Sequence, residues 1–367
     1  MRIAILGTRG IPANYGGFET FAEELSTHLA QRGHDVTVYG RSHYVPKTIT
    51  SYKGVNIVVT PGVRHKYFDT PVNTCFSTLH LLFHRYDVVL YCNSANAFLT
   101  LLPRLKGVPV VLNVDGLEWK REKWGPLGRC VYKVSEFLST FCPTEIVTDA
   151  VDVYRYYMQK FNRQGVYIPY GANTQREETI SILEKFGLTP GQYILYVSRL
   201  EPENNALAVI RAFEQVKTDM KLVIVGDAPY ASEYIETLKK TRDKRIVFTG
   251  YVFGKGYREF QSHAFAYVQA TEVGGTHPAL VEAMGRGNFV LANDVPEHRE
   301  VLGQAGIYFS ARAPETLAEQ FVHFLNNPSE ADEYREKAAL RVQKNYTWNA
   351  ITDAYEHLFY RVTRRRK

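Results

Sequence analysis

Short runs rich in β-branched and aromatic residues alternate with helical patterns along nearly the whole chain, and this alternation constrains the fold more than any other feature. Seven runs fall in the first half: RIAILG, DVTVYG, VNIVVTP, DVVLYC, VPVVLNV, EIVTDA and VYIPYG. Six more follow between YILYVS and GIYFS. Strands that alternate with helices predict a mostly parallel sheet covered on both faces. Because the pattern stops and then starts again, we expect two doubly wound α/β domains.

The stretch IPYGANTQREE, which starts at Ile168, separates the two sets because it combines proline, glycine and a charged polar run. The 367 residues also exceed the usual size of one hydrophobic core. We predict a first domain over residues 1–172 and a second over residues 173–346. Ligands of doubly wound sheets bind beyond the carboxyl ends of the strands, so the loops at those ends are the expected sites.

Composition limits the possible partners. The net charge of +6 favours anionic partners, and nucleotide phosphates, acidic lipid headgroups and nucleic acid all qualify. No motif of an RNA- or DNA-binding module occurs, so we expect no nucleic-acid partner. No run of about 18 apolar residues occurs, so no membrane-spanning helix is expected. The cysteines, Cys75, Cys92, Cys130 and Cys142, lack metal-ligand spacing and the density of a secreted scaffold, which favours a reducing cytosol.

The stretch TEVGGTHPALVEAMG, Thr271 to Gly285, places two glycines before a predicted helix. Gly274 and Gly275 allow close approach of a ligand to the backbone, and Pro278 suits a first helical turn. Free amides at such a helix start bind phosphate, and Glu282, about one turn further on, is placed to accept hydrogen bonds from sugar hydroxyls. The alternative is a turn followed by an ordinary helix with a solvated glutamate.

Two nearby segments contain further candidates. Thr276 and His277 complete the glycine loop; His277 is either a ligand contact or simply a helix-start residue, because no partner spacing suggests a metal. In FTGYV, Tyr251 and the backbone at Val252 are candidates for holding a planar base. Packing of the Tyr251 ring in the core is the alternative.

The loop GTRGIPANYGGFE follows the first strand and contains four glycines. Its spacing lacks the G-x-G-x-x-G pattern of a dinucleotide site and a Walker lysine, which makes nicotinamide chemistry less expected. The amides of Gly16 and Gly17 are candidates for a diphosphate contact at the helix start, with Arg9 supplying charge. The alternative is a purely structural glycine turn.

Two further strand-end residues are candidates for chemistry. Asp115, in NVDGLEWKREKW, is predicted to hold a sugar hydroxyl or stabilise positive charge at a sugar carbon; an Asx-type turn is its alternative. Arg199, in VSRLEPENN, is predicted to contact phosphate oxygens with its planar guanidinium. Its alternative is a surface ion pair with Glu201 or Glu203.

Cations and aromatics are interspersed over residues 119–133, from Trp119 through Trp124 to Lys133. They lie beside a predicted apolar face formed by Val131, Phe137, Leu138 and Phe141. This composition is typical of a surface that rests on anionic lipid. A solvated basic helix is the alternative.

Taken together, GTRGIPANYGGFE, NVDGLEWKREKW, IPYG, VSRLEPENN, FTGYV, TEVGGTHPALVEAMG and NDVPEHREVL resemble the retaining GT-B glycosyltransferases of family four, in particular bacterial rhamnosyltransferases of capsule and exopolysaccharide assembly. The resemblance covers nearly the whole chain. It implies two Rossmann-like domains facing an interdomain cleft. It also implies that residues 347–367, which contain YTWNAITDAYEHLFYRV, form a helix that crosses back to the first domain, followed by a basic tail.

The resemblance also implies residue roles. Gly16, Gly17 and Arg199 would address the donor diphosphate, Glu282 the ribose, and the loop amides before it the phosphate and sugar. Three positions depart from the family pattern. Nine residues instead of seven separate Glu272 from Glu282, Asn204 replaces a lysine, and Asp115 stands where a histidine is common.

We therefore expect a metal-independent transferase with no cofactor and with Asp115, Arg199 and Glu272 as candidate catalytic residues. It would move a hexose, our choice being rhamnose from dTDP-rhamnose, to a lipid-linked saccharide in surface polysaccharide synthesis. Glucose, galactose and N-acetylglucosamine remain alternative donor sugars. The expected location is the cytoplasmic face of the cell membrane, with peripheral attachment through residues 119–133. A nucleotide-sugar 2-epimerase and a non-catalytic sugar-nucleotide-binding protein are the rival functions.

Overall fold

The computed structural model describes residues 1–14, 16–65, 67–121, 124–228 and 231–364. The chain divides into two compact units. The first contains Met1–Tyr170 together with Trp348–Lys367, and the second contains Gly171–Thr347. Each unit is built on one sheet with helices on both faces, which confirms the predicted pair of doubly wound α/β domains.

The sheet of the first unit has eight strands in the order β3-β4-β2-β1-β5-β6-β7-β8. All neighbouring strands are parallel except β3 and β4. The sequence predicted β4, in VNIVVTP, but not the two-residue β3 that pairs with it antiparallel. The last predicted strand, in VYIPYG, is reduced to two residues. The strands are β1 (Arg2–Leu6), β2 (Asp35–Arg41), β3 (Ser51–Tyr52), β4 (Val55–Thr60), β5 (Val88–Cys92), β6 (Val110–Asn113), β7 (Glu145–Thr148) and β8 (Val166–Tyr167).

Helices cover both faces of this sheet and enclose two apolar clusters. They are α1 (Gly17–Gln31), α2 (Asp69–Leu82), α3 (Leu101–Leu105), α4 (Pro126–Ser139), α5 (Val151–Phe161) and the last helix of the chain, α14 (Trp348–Arg364). The last helix buries one apolar side, including Tyr355 and Phe359, in the same cluster as Phe21 of α1. This packing is the physical reason why the end of the chain belongs to the first unit.

The sheet of the second unit has six parallel strands in the order β11-β10-β9-β12-β13-β14. The strands are β9 (Tyr193–Val197), β10 (Lys221–Val225), β11 (Ile246–Gly250), β12 (Ala266–Gln269), β13 (Phe289–Asn293) and β14 (Ile307–Phe309). The helices are α6 (Ser181–Lys185), α7 (Ala206–Glu214), α8 (Ser232–Leu238), α9 (Gly254–His263), α10 (Pro278–Gly285), α11 (Pro296–Leu302), α12 (Pro314–Asn326) and α13 (Pro328–Asn345). The central strands are buried except for Val197 at the end of β9, as expected for a sheet covered on both faces.

Candidate active site

The strand order of the second unit reverses between β9 and β12, which lie side by side at the centre of the sheet. Such a reversal opens a crevice at the carboxyl ends of the two strands, where doubly wound sheets bind ligands. The loop after β9 contains Arg199, and the loop after β12 leads through residues 271–277 into α10. The topology thus places the two main candidates of this unit at one switch point.

The start of α10 agrees with its sequence prediction. Pro278 is the first helical residue, and His277 precedes it in an extended conformation. A Cβ atom at position 274 would lie 2.6 Å from Cε1 of His277, so a larger residue there would displace the histidine ring. Gly275 and Thr276 are buried at the base of the loop. Gly274 therefore has a structural role in addition to any ligand contact.

Glu282, in the middle of α10, is fixed by a residue that the sequence analysis missed. The hydroxyl of Tyr257, on α9, donates a hydrogen bond of 2.6 Å to Oε2 of Glu282. Nε2 of Gln261, one turn later on α9, donates to the same hydroxyl at 2.8 Å. Burial, followed by the nearby Glu282 carboxylate, raises the pKa of Tyr257 well above its usual value. Tyr257 therefore remains a protonated donor that orients the carboxylate.

If Glu282 binds the ribose, as the resemblance implies, replacing Tyr257 by phenylalanine is expected to weaken nucleotide binding roughly 10- to 100-fold, because a hydrogen bond to a charged group contributes about 1.5–3 kcal/mol. Calorimetric titration with UDP and dTDP measures the change. The matched control is Tyr308→Phe, which removes a hydroxyl bonded to the backbone oxygen of Gly303 in the same unit. Equal weakening in both variants would contradict a specific role for Tyr257.

Arg199 lies two residues beyond β9 with its side chain 29% exposed. Its guanidinium is 3.7 Å from the Glu201 carboxylate, a long ion pair that restrains the side chain only weakly. Asn204, where a lysine was expected from the resemblance, donates from Nδ2 to the Arg199 carbonyl at 2.7 Å. The hydroxyl of Tyr196 in turn donates to the Asn204 carbonyl. Asn204 is therefore a buried residue that holds the backbone of the arginine.

Glu272 has a different environment from Glu282. Its carboxylate lies 3.5 Å from Nε of Arg312, an exposed residue beyond β14, and its amide donates to the Glu203 carbonyl. This ion pair is consistent with the departure of Glu272 from the family spacing. Its assignment as a catalytic residue stays a prediction.

The base-binding candidates follow β11. The Tyr251 ring stacks on Phe253, with centroids 5.6 Å apart and planes 21° apart. Tyr251 and Val252 are both half-buried, so the ring belongs neither wholly to the core nor wholly to the surface. Their role in holding a base also stays a prediction.

His298, on α11, lies beneath the glycine loop and was not singled out by the sequence analysis. It is fully buried, and its ring packs edge-on against His277 with centroids 5.1 Å apart. Nδ1 lies 2.8 Å from the Asn293 carbonyl, which identifies that nitrogen as the donor. Burial lowers the pKa of His298 to about 4, so the ring is neutral at pH 7.

In the first unit, the glycines after β1 have different roles. Gly7 and Gly10 have φ angles of 91° and 105°, and a Cβ at either would lie closer than 3.0 Å to neighbouring atoms, so both are structurally required. Gly16, just before α1, has an extended backbone, and a Cβ there would make only an ordinary contact with Glu19. Packing within the described residues therefore does not explain Gly16, and close approach of a ligand remains its predicted reason.

Strand ends in the first unit bring several carboxylates together. Burial, followed by the charges of Glu19 and Asp115, raises the pKa of the Cys92 thiol at the end of β5 well above its usual value. Asp115 has a φ of 59°, a conformation uncommon for a residue other than glycine. Its amide donates to Oδ1 of Asn113, so it is Asn113 whose side chain closes the turn. Asp149, fully buried just after β7, was missed by the sequence analysis.

The stretch 119–133 differs in part from its prediction as a lipid-facing surface. Arg121 and Trp124 are buried, and both contact Glu118: Arg121 through an ion pair of 2.6 Å, and Trp124 through an indole hydrogen bond of 3.3 Å. Trp119 is half-buried and donates to Glu136. The prediction is therefore wrong for Arg121 and Trp124, because the buried glutamate draws them inward. Lys123 lies outside the described residues.

Family comparisons agree with this architecture. Residues 15–156 match the family model described as Glycosyltransferase Family 4, and residues 191–327 match the model described as Glycosyl transferases group 1. The two matches together span more than half of the chain. The chain therefore belongs to the glycosyltransferases of the GT-B fold.

Individual relatives are more distant. The chain is 24% identical over 184 residues to O-antigen chain mannosyltransferase B of Escherichia coli, covering 48% of this chain and 47% of the relative. It is 24% identical over 185 residues to the N-acetylgalactosamine-N,N'-diacetylbacillosaminyl-diphospho-undecaprenol 4-alpha-N-acetylgalactosaminyltransferase of Campylobacter jejuni, covering 49% and 48%. The chain thus spans about half the length of these curated relatives.

The fold extends over the whole chain. The crystal structure of Anabaena HepE in complex with UDP and glucose superposes with a TM-score of 0.80 over 98% of this chain and 99% of HepE. The sequence identity is 15%, so this likeness concerns the fold alone.

Proposed function

We propose that the chain is a retaining glycosyltransferase that moves a hexose from a nucleoside-diphosphate sugar to a lipid-linked saccharide. The observation that carries the proposal is the switch point of the second unit, where Arg199 and α10 follow adjacent strands and Tyr257 fixes Glu282. The UDP and glucose bound by HepE and the undecaprenol-linked substrate in the name of the Campylobacter jejuni relative support the choice of donor and acceptor.

In the proposed reaction, the bond between the sugar C1 and the diphosphate oxygen breaks while the acceptor oxygen bonds to C1 on the same face. The acceptor proton passes to the leaving phosphate, so no strong general base and no metal are needed. Arg199 and the amides of residues 274–277 stabilise the negative charge that grows on the diphosphate. Glu282 holds the ribose. Asp115 orients the donor or acceptor.

We further propose rhamnose from dTDP-rhamnose as the donor and bacterial surface polysaccharide as the product, with the enzyme at the cytoplasmic membrane face. These choices depend on the motif resemblance. The two relatives named above transfer mannose and N-acetylgalactosamine, so glucose, galactose and N-acetylglucosamine donors belong in the same screen.

A thermal-shift screen of UDP, dTDP, GDP and ADP sugars tests the donor. A ligand at about 100 times its dissociation constant stabilises the native state by about 2.7 kcal/mol. We expect the dTDP series to raise the unfolding temperature, with dTDP-rhamnose giving the largest increase. No shift with any of the four series would contradict a nucleotide-sugar site.

Incubation with donor alone separates the rival functions. A transferase hydrolyses the donor slowly until acceptor is added, whereas a 2-epimerase converts the donor sugar without acceptor. With a binding protein, the donor raises the unfolding temperature but is recovered intact. Product analysis by mass spectrometry and NMR distinguishes the three outcomes, and NMR of the linked sugar reports retention or inversion at C1.

A further inference from the structure

Exposed apolar side chains are concentrated in one part of the first unit. Among the described residues, thirteen of the seventeen large hydrophobic side chains that are exposed lie between Val63 and Phe141. An ordinary soluble surface scatters such residues singly, whereas a contiguous group marks an interaction site. This concentration therefore requires a physical explanation.

Helix α4 has its polar and apolar sides reversed relative to an ordinary surface helix. Its buried side contains Ser135, Glu136 and Ser139. Glu136 is held there by Lys160 at 2.7 Å, and by Trp119 and Tyr156, each at 2.8 Å. The exposed side bears Leu127, Val131, Val134 and Phe137, with Phe141 just beyond the helix end. Residues at this spacing form one stripe along a helix, so α4 presents an apolar stripe to its surroundings.

Helix α2 shows the same reversal. Four polar residues, Asn73, Thr74, Ser77 and Thr78, are buried on its inner side, together with Leu81 in the last turn. Asn73 donates to Thr60, Ser77 lies within hydrogen-bond distance of Thr60, and Thr78 lies within hydrogen-bond distance of the Tyr91 hydroxyl. Phe76 and Leu79 are exposed on the outer side, followed by Phe83 at the helix end, which is 85% exposed. Two helices therefore turn their apolar sides away from the core.

The two helices belong to one continuous surface. The Tyr67 ring, just before α2, packs 5.6 Å from the Trp124 ring, just before α4. At the other end, Nζ of Lys106 lies 5.8 Å from the centre of the Phe83 ring, and Arg104 donates to the Phe141 carbonyl. Helix α3, which ends between these two contacts, thus joins α2 to α4. We name the exposed side chains of residues 63–141 the α2–α4 surface.

The charge of the α2–α4 surface is basic. Seven lysine and arginine residues of this range are exposed, Arg104, Arg129 and Lys133 among them. Every aspartate and glutamate described in the range is buried or half-buried. The buried carboxylates are neutralised internally; Glu118 pairs with Arg121 and Glu136 with Lys160. Among the described residues of this range, the exposed charged residues are therefore cations, and the partly exposed Asp87 carboxylate lies 3.6 Å from Arg2.

We propose that the α2–α4 surface is the membrane-docking face of the protein and that its partner is an anionic lipid bilayer. The apolar stripes of α2 and α4 lie among the acyl chains near the headgroups, and the cations contact acidic headgroups. A second copy of the chain fits the surface less well, because a symmetric dimer would place the same cations against one another. This proposal depends on the proposed function in one respect: membrane docking would give the enzyme access to a lipid-linked acceptor.

Co-sedimentation with vesicles tests the surface. The wild-type protein is expected to bind phosphatidylcholine vesicles that contain about 30% phosphatidylglycerol, to bind pure phosphatidylcholine weakly, and to dissociate as salt is raised. The double variant Val134→Ser/Phe137→Ser is expected to bind at least about tenfold more weakly, because two apolar side chains that the bilayer would bury have been removed. Both positions are exposed, so folding is retained.

Val322→Ser/Leu340→Ser provides the matched control, since it removes two exposed apolar side chains from α12 and α13 in the second unit. Its vesicle binding is expected to equal that of the wild type. Equal binding by the Val134/Phe137 variant, or no wild-type binding to the anionic vesicles, would overturn the proposal. Sedimentation velocity tests whether a second copy of the chain occupies the surface instead of lipid. A wild-type dimer that is lost in the Val134/Phe137 variant would also overturn the proposal.

Nucleotide thermal shifts keep this proposal distinct from the proposed function. The Val134/Phe137 variant is expected to keep the full shift of the wild type. Vesicle binding without any nucleotide shift would remove the transferase proposal and leave the docking surface in place. A nucleotide shift without vesicle binding would overturn the docking surface and leave the transferase proposal in place.

Discussion

Replacing Arg199 by alanine is expected to lower the rate of sugar transfer by roughly 100- to 1,000-fold while leaving the fold intact, because one preorganised donor to a developing negative charge contributes about that much. The fold does not depend on this side chain. Its carbonyl, not its guanidinium, receives the hydrogen bond from Asn204, and its ion pair with Glu201 spans 3.7 Å. Initial rates at saturating donor and acceptor measure the loss, and thermal unfolding checks the fold.

Two further variants sharpen the Arg199 experiment. Arg199→Lys retains the charge but not the planar fork, so an intermediate rate is expected. Arg242→Ala removes an exposed arginine from the loop before β11 and serves as the matched control, with an unchanged rate. If Arg199→Ala transfers sugar at the wild-type rate, the diphosphate contact does not involve this residue.

His298 is expected to make the native state less stable in acid. Its pKa is about 4 in the folded protein and about 6.5 when exposed, so the unfolded chain binds the proton first as the pH falls. Stability is therefore full above about pH 6.5 and falls between about pH 6.5 and pH 4, by about 3 kcal/mol from this residue alone. Urea unfolding of the wild type and of His298→Gln at several pH values measures the difference.

The His298→Gln variant is expected to lose less stability between about pH 7 and pH 4 than the wild type, because glutamine does not titrate. Its amide is able to donate to the Asn293 carbonyl in place of Nδ1. His357→Gln, at an exposed position on α14, is the control and should follow the wild type. A pH dependence of His298→Gln identical to the wild type would show that the buried ring is not the acid-sensitive group.

The start of α10 was largely predictable because local rules govern it. Proline suits the first helical position for a reason that lies within a few residues of sequence, and Pro278 at the start of α10 confirms it. The ligand contact of Gly274 stays a prediction. Tyr257 had no such signal. It precedes Glu282 by 25 residues and meets it only because α9 and α10 pack together.

Composition predicted only part of the α2–α4 surface. Interspersed cations and aromatics at 119–133 suggested a lipid surface, but the buried Glu118 and Glu136 attract several of those same side chains. The exposed apolar stripe begins within that stretch, at Leu127 and Val131, continues along α4 to Phe137, and has a counterpart on α2. Which side of an amphipathic helix faces inward depends on polar partners such as Tyr91 and Lys160, which are distant in sequence.

The sequence by itself determined the two α/β domains and the loops that end their strands, because hydrophobic alternation and glycine or proline positions act over short distances. Only the tertiary structure decided that β9 and β12 are neighbours, and therefore that the loop of Arg199 and the loop leading into the helix of Glu282 lie at one switch point. Strand order and the burial of charged partners depend on packing between segments that are far apart in the chain. Local sequence patterns do not predict which of these segments will pack together.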